Sequence, residues 1–134
     1  VSGFFDTNVL LYAQEAGRKG DLARVALSAG GKISAQVLNE FTSVSRRKQR
    51  KDWPEIAEAI ADALTVVDSP LPLTIELHAA ALALARDHGF SFYDALIVAA
   101  AIEAGCDILY SEDLQHGRAI GGLTIHNPFL DAAQ

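Results

Sequence analysis

The sequence has no methionine, one cysteine and one tryptophan in 134 residues. The lone Cys106 excludes an internal disulfide and fits a reducing compartment, most simply a cytoplasm. By residue type it reads as a small buried hydrophobe rather than a reactive thiol. No apolar run is long enough to span a membrane and no signal peptide is visible, so no membrane association is expected. With Val1 first and no Met, a few native N-terminal residues are expected to be missing. Repeats, low-complexity tracts and a dividing linker are also lacking. Residues 1–134 are therefore expected to form a single domain with a real core. Half the residues are hydrophobic, which argues against disorder.

Positive charge is scarce overall, giving a net charge of −6, but it is unevenly placed. Residues 1–51 carry nine Lys/Arg and four Asp/Glu, while residues 52–134 carry two Lys/Arg and thirteen Asp/Glu. Such asymmetry can give one face of an acidic protein a positive field.

Short strands are expected at residues 3–6 (GFFD), 32–35 (KISA), 65–68 (TVVD) and 107–110 (DILY), with a weaker fifth at 123–126 (LTIH). Helical patterns fall between them, so an α/β domain with a mainly parallel sheet of four to five strands is expected. Residues 7–16 read as a helix closed by Gly17, and residues 21–29 as one capped by Asp21 and ended by Gly30-Gly31. Ser34 is placed to open a helix whose Val37, Leu38, Phe41 and Val44 form one apolar stripe. Asp52 and Glu55 have capping-box spacing around Pro54. Residues 73–88 form an Ala/Leu-rich helix ending at Gly89. Residues 92–104 form a helix apolar all round, hence buried, ending at Gly105.

Four acids stand out against this frame. Asp6 ends the first strand and precedes a helix, where it could be an N-cap or part of a site. Ligands in open α/β sheets bind beyond the carboxyl ends of the strands. Asp113, in "DILYSEDLQHG", follows another strand at the same edge; Glu112 beside it is kept as the alternative ligand, with only one of the two expected to face the site, and Ser111 could cap the turn. Glu40 lies at the margin of its helix's apolar stripe. Asp94 leads into the most apolar helix of the chain and has capping-box spacing from Ser91. Helices that return after parallel strands start at the same sheet edge, so the four acids can converge. Converging carboxylates repel unless a cation neutralises them. Oxygen ligands suit Mg²⁺ or Mn²⁺, ions that activate water and stabilise a phosphodiester transition state.

Taken in order, "FFDTNVLLYA", Glu40 in "AQVLNEF", Asp94 in "SFYDALIVAAA" and Asp113 in "ILYSEDLQHG" resemble a PIN-domain protein, nearest to the VapC-like ribonuclease toxins of bacterial toxin–antitoxin pairs. The resemblance covers nearly the whole chain. It implies a three-layer α/β/α domain and a Mg²⁺/Mn²⁺-dependent endoribonuclease. Asp6, Glu40, Asp94 and Asp113 would form the acidic cluster, with Asp6 and Asp94 as primary metal ligands. Glu40 would ligate a metal or orient the water. Thr7 or Asn8 would support Asp6, and Ser111 would fill the hydroxyl position of a Ser/Thr-x-Asp element. A cognate antitoxin and a homodimer are implied as partners beside the RNA substrate.

The segment "SRRKQRK" places Arg46, Arg47, Lys48, Arg50 and Lys51 together, either as a solvated helix end or as RNA phosphate contacts. Arg18 and Lys19 are a weaker candidate. His78, His88, His116 and His126 show no metal-ligand spacing, and Trp53, Tyr12 and Phe92 are expected to pack rather than stack on bases. A phospho-receiver domain would want adjacent acids after the first strand, and a dehalogenase-like phosphatase would want Asp-x-Asp there; "DTN" offers neither. The standing rival is a non-catalytic PIN-like module that binds RNA or protein.

Overall fold

The computed structural model describes residues 3–130. Its elements are β1 (Gly3–Phe5), α1 (Thr7–Tyr12), α2 (Arg18–Ser28), α3 (Ala35–Arg47), α4 (Trp53–Leu64), α5 (Ile75–His88), α6 (Phe92–Glu103), β2 (Ile108–Tyr110), β3 (Ala119–Ile120) and β4 (Leu123–His126). The sheet order is β1-β2-β4-β3. The β1–β2 and β2–β4 pairs are parallel and β3–β4 is antiparallel. Phe4 and Phe5 point to opposite faces of the sheet and both are fully buried, so helices cover both faces.

Most helix ends form as their sequence signals require. Ser34 accepts from the Val37 amide to open α3, and Asp52 and Glu55 close a reciprocal capping box on α4. Thr74 caps α5, which stops at Gly89 in the left-handed region (φ 75°). Ser91 accepts from the Asp94 amide to open α6. Within α6, every residue from Ala95 to Ala101 is buried, as its all-round apolarity requires.

Several expected elements differ. Residues 65–68 are not a strand. Thr65 ends α4, with its amide and hydroxyl both donating to the Asp62 carbonyl. The edge is made further on by a single bridge from Leu71 to Ser34, held between Pro70 and Pro72, which lack amide donors. Residues 32–35 are likewise reduced to bridges: Lys32 pairs with Phe4 and Ser34 with Leu71. The expected helix at 7–16 stops at Tyr12, where Gln14 and Glu15 turn tightly onto Leu11 and Tyr12 carbonyls. Asp21 is not a cap: α2 starts from Gly17 (φ 97°) and Asp21 lies in its first turn, paired with Arg24. That earlier start depends on Gly20, where a Cβ would stand 1.9 Å from the Glu15 carbonyl oxygen. The two-residue β3 carried no sequence signal of its own.

β1, paired with β2 on one side and bridged to Lys32 on the other, positions the site. Phe5 donates to Lys32 and Lys32 to Gly3 along one edge, while Asp6 donates to Tyr110 along the other. The first residue past β1 is therefore fixed from both sides.

Candidate active site

Asp6 sits in that fixed position, 6% exposed. One carboxylate oxygen accepts from the Thr7 amide at 2.7 Å and the other from Ser111 Oγ at 2.7 Å. Ser111 in turn accepts from the Leu114 amide, so it caps its turn and braces Asp6 at once. Burial drives the Asp6 pKa up from 3.8 to about 6, outweighing the bonds from Ser111 and Thr7; the charges of Glu40 and Asp113 push it the same way.

The other acids gather around it. Asp6, Glu40, Asp94 and Asp113 all line one cleft of about 260 Å³, together with Thr7, Asn8 and Arg47. Glu40 accepts from Thr7 Oγ1 at 3.2 Å and from Gln36 Nε2 at 3.4 Å. Burial raises its pKa despite those donors, and the charges of Asp94 and Asp113 add to the rise. Asp94 enters from the first turn of α6. Asp113 accepts from Asn8 Nδ2 at 3.2 Å, while Asn8 Oδ1 accepts from the Glu112 amide.

The adjacent acids Glu112 and Asp113 part company. Asp113 faces the cleft, whereas Glu112 turns outward to Tyr12 OH (2.6 Å) and the Lys19 ammonium. Burial raises the Glu112 carboxyl, but its bonds from Lys19 and Tyr12 prevail and hold it below the usual range. The polar residues after Asp6 also divide their work. Thr7 supports Asp6 through its amide and Glu40 through its hydroxyl; Asn8 supports Asp113.

Of the basic segment, Arg47 lines the acid cleft, with Nε donating to Ser43 Oγ at 3.0 Å. Arg46, one helical step away, points elsewhere: its guanidinium lies 4.5 Å over the Trp53 ring and donates to the Lys51 carbonyl. Lys48 caps α3 and is exposed, as is Arg50, which takes a positive φ of 55°. Lys51 is partly buried, with its amide bonded to Ser45. Trp53 is 58% exposed, contrary to the packing role expected of it; Tyr12 does pack, edge-on to Phe129. His116 Nδ1 accepts from the Asn127 amide, away from the cleft lining. Ser43 and Tyr93 were not singled out as site residues. For Ser43 a signal existed, because Glu40, Ser43 and Arg47 recur at i, i+3 and i+7 on one helix face.

Among the described residues, no three His, Cys, Asp or Glu side chains form a group that could hold a metal ion by themselves. The donor set nevertheless fits a hard divalent cation. It consists of oxygens, the charges of neighbouring carboxylates add to the raised pKa values of Asp6 and Glu40, and Mg²⁺ characteristically takes one or two carboxylates and keeps its waters.

A buried carboxylate at the end of the parallel strand β1, facing acids from two helices and a loop across a small cleft, defines an α/β domain with an acidic centre at its sheet edge. The PIN-domain profile matches residues 3–120, and the chain belongs to that family. Solved structures agree in fold. VapC20 of Mycobacterium tuberculosis, described as a sarcin–ricin-loop-cleaving toxin, is 26% identical with a TM-score of 0.64, covering 84% of this chain and 90% of that one. A toxin–antitoxin complex from Klebsiella pneumoniae is 21% identical with a TM-score of 0.71, covering 96% and 98%. VapBC2 from Rickettsia felis, bound to a promoter DNA fragment, is 18% identical with a TM-score of 0.67, covering 95% and 98%. Curated protein sequences gave no match.

Proposed function

We propose that this chain is a Mg²⁺- or Mn²⁺-dependent endoribonuclease, the toxin of a toxin–antitoxin pair. The observation that carries the reading is the convergence of Asp6, Glu40, Asp94 and Asp113 on one cleft, with Arg47 on its wall. The likeness to VapC20, a sarcin–ricin-loop-cleaving toxin, supports it. Asp6 and Asp94 would hold the cation, with Asp113 completing the site through water. A cation there supplies charge neutralisation and activation of a water molecule at neutral pH.

The chain's own groups do the rest. Glu40 orients the attacking water and takes its proton on a carboxylate oxygen, a role its raised pKa favours. The water oxygen forms a bond to phosphorus opposite the ribose oxygen, whose bond breaks and which takes a proton from solvent. Arg47 pairs with a phosphate oxygen and offsets the repulsion between RNA and the acids. Thr7, Asn8 and Ser111 fix the carboxylates, so the site is ordered before RNA arrives.

An antitoxin and a second copy of the chain would be the protein partners, and the cytoplasm the setting. Exposed Ile75 and Leu82 on α5 leave apolar surface for such contacts.

The test is cleavage of a panel of structured RNAs with Mg²⁺, with Mn²⁺ and with chelator. Cutting that needs the ion supports the reading. RNA left intact under all three conditions returns the chain to the non-catalytic binding module. The positions of Arg46 and Arg47 also make separate expectations. Arg47→Gln should weaken RNA binding and lower the slope of log affinity against log salt by about one. Arg46→Gln, whose charge rests on Trp53, should change the slope less. Equal slopes for both variants in a salt titration would remove Arg47 from the RNA contact.

A further inference from the structure

The acid cleft does not end at Glu40. A second, shallower groove of about 490 Å³ shares Glu40, Ser43 and Arg47 with it and continues to Gln36 and Asn39 of α3 and Tyr93 of α6. The volume is in the range of sites that take one small organic ligand. Tyr93 precedes Asp94 in the first turn of α6 and is 64% exposed, although α6 is buried from Ala95 to Ala101. It is not loose: Phe92 meets it edge-on at 5.9 Å, and Phe92 in turn lies against His78 at 4.9 Å. Core packing does not account for a supported ring left facing solvent. On α3 the same groove is lined by Asn39, whose amide can both donate to and accept from a base edge, and by Gln36, whose Nε2 is already given to Glu40.

We propose that this groove is a nucleotide subsite, in which Tyr93 stacks on an unpaired RNA base next to the phosphodiester held over Asp6, Asp94 and Arg47. The inference rests on the ribonuclease reading and names the part of that site which grips the substrate. An aromatic face takes any unstacked base, and single-stranded loops present such bases. Arg47 lines both cavities, which places its side chain between the base and the scissile phosphate. Tyr93 and Asp94 are neighbours in sequence, which ties the stacked base to the acid centre through one rigid helical turn.

The test is equilibrium binding of short labelled single-stranded RNAs, one homopolymer of each base, in chelator so that none is cut. Wild type, Tyr93→Ala and Tyr93→Phe are compared, and their cleavage is then followed with Mg²⁺. Tyr93→Ala should bind every homopolymer about tenfold more weakly, while Tyr93→Phe keeps wild-type affinity because it keeps the ring. In cleavage the loss should fall on KM rather than kcat. Thermal melts of both variants should match wild type, because the ring contributes little to the core. Wild-type affinity in Tyr93→Ala would overturn the subsite, as would an equal loss in Tyr93→Phe. Wild type that binds RNA but does not cut it with Mg²⁺ would overturn the ribonuclease reading, and the Tyr93 comparison would still decide the subsite. Wild type that neither binds nor cuts would overturn both.

Discussion

Asp6→Asn should lower ion-dependent RNA cleavage by more than about 100-fold while leaving the chain folded. Losing a residue that merely supports a metal ligand already costs about 10- to 100-fold, and Asp6 is assigned a more direct part. The structure explains why the fold should survive. Asn keeps one oxygen for the Thr7 amide, and its amide group can donate to Ser111 Oγ, so the two bonds at Asp6 are replaced rather than lost. The variant also sheds a buried charge that two neighbouring carboxylates oppose. Asp94→Asn should behave alike. Cleavage rates on pure, refolded protein beside circular dichroism spectra check this, and full activity in either folded variant would sink the assignment.

A second large effect should appear without any RNA. In chelator, the unfolding free energy should fall as pH rises from about 4 to about 6, with Asp6 contributing about 3 kcal/mol of the change. The sign follows from proton counting. Between 3.8 and about 6 the native chain keeps a proton on Asp6 that the unfolded chain has released, so raising the pH favours unfolding. Below that window both states are protonated and the stability is fully present; above it both are charged and it is lost. Glu40, also raised, acts in the same direction, while Glu112, held low, acts in the opposite one. The difference between wild type and Asp6→Asn isolates the Asp6 share. Urea unfolding at several pH values measures it, and parallel curves for the two proteins would refute it. Mg²⁺ that binds only the native state should recover stability at neutral pH by mass action.

Much of this arrangement could be read from residue types and spacing. Ser34, Asp52 with Glu55, and Ser91 marked helix starts because capping is local chemistry, settled within a few residues. The long apolar α6 and the strand ends at Asp6 and Asp113 were legible for the same reason. What escaped depends on distant partners. Val66 and Val67 have strand character, yet Thr65 is held to α4 and the edge pairing is deferred to Leu71, where Ser34 is available. Glu112 and Asp113 cannot be told apart in a loop. Lys19, far away on α2, draws one outward, while Asn8 holds the other in. Arg46 and Arg47 are equally alike in sequence, and Trp53 separates them in space.

The burial of α6 has a consequence for how such a protein can diversify. Residues 95–101 are committed to the core, so substitution there endangers the whole fold. Tyr93 sits just before that stretch, outside the core yet carried by the same helix as Asp94. Descendants can exchange position 93 without disturbing the packed segment behind it. If Tyr93 grips RNA as proposed, the choice of RNA can then drift while the acidic centre is inherited intact.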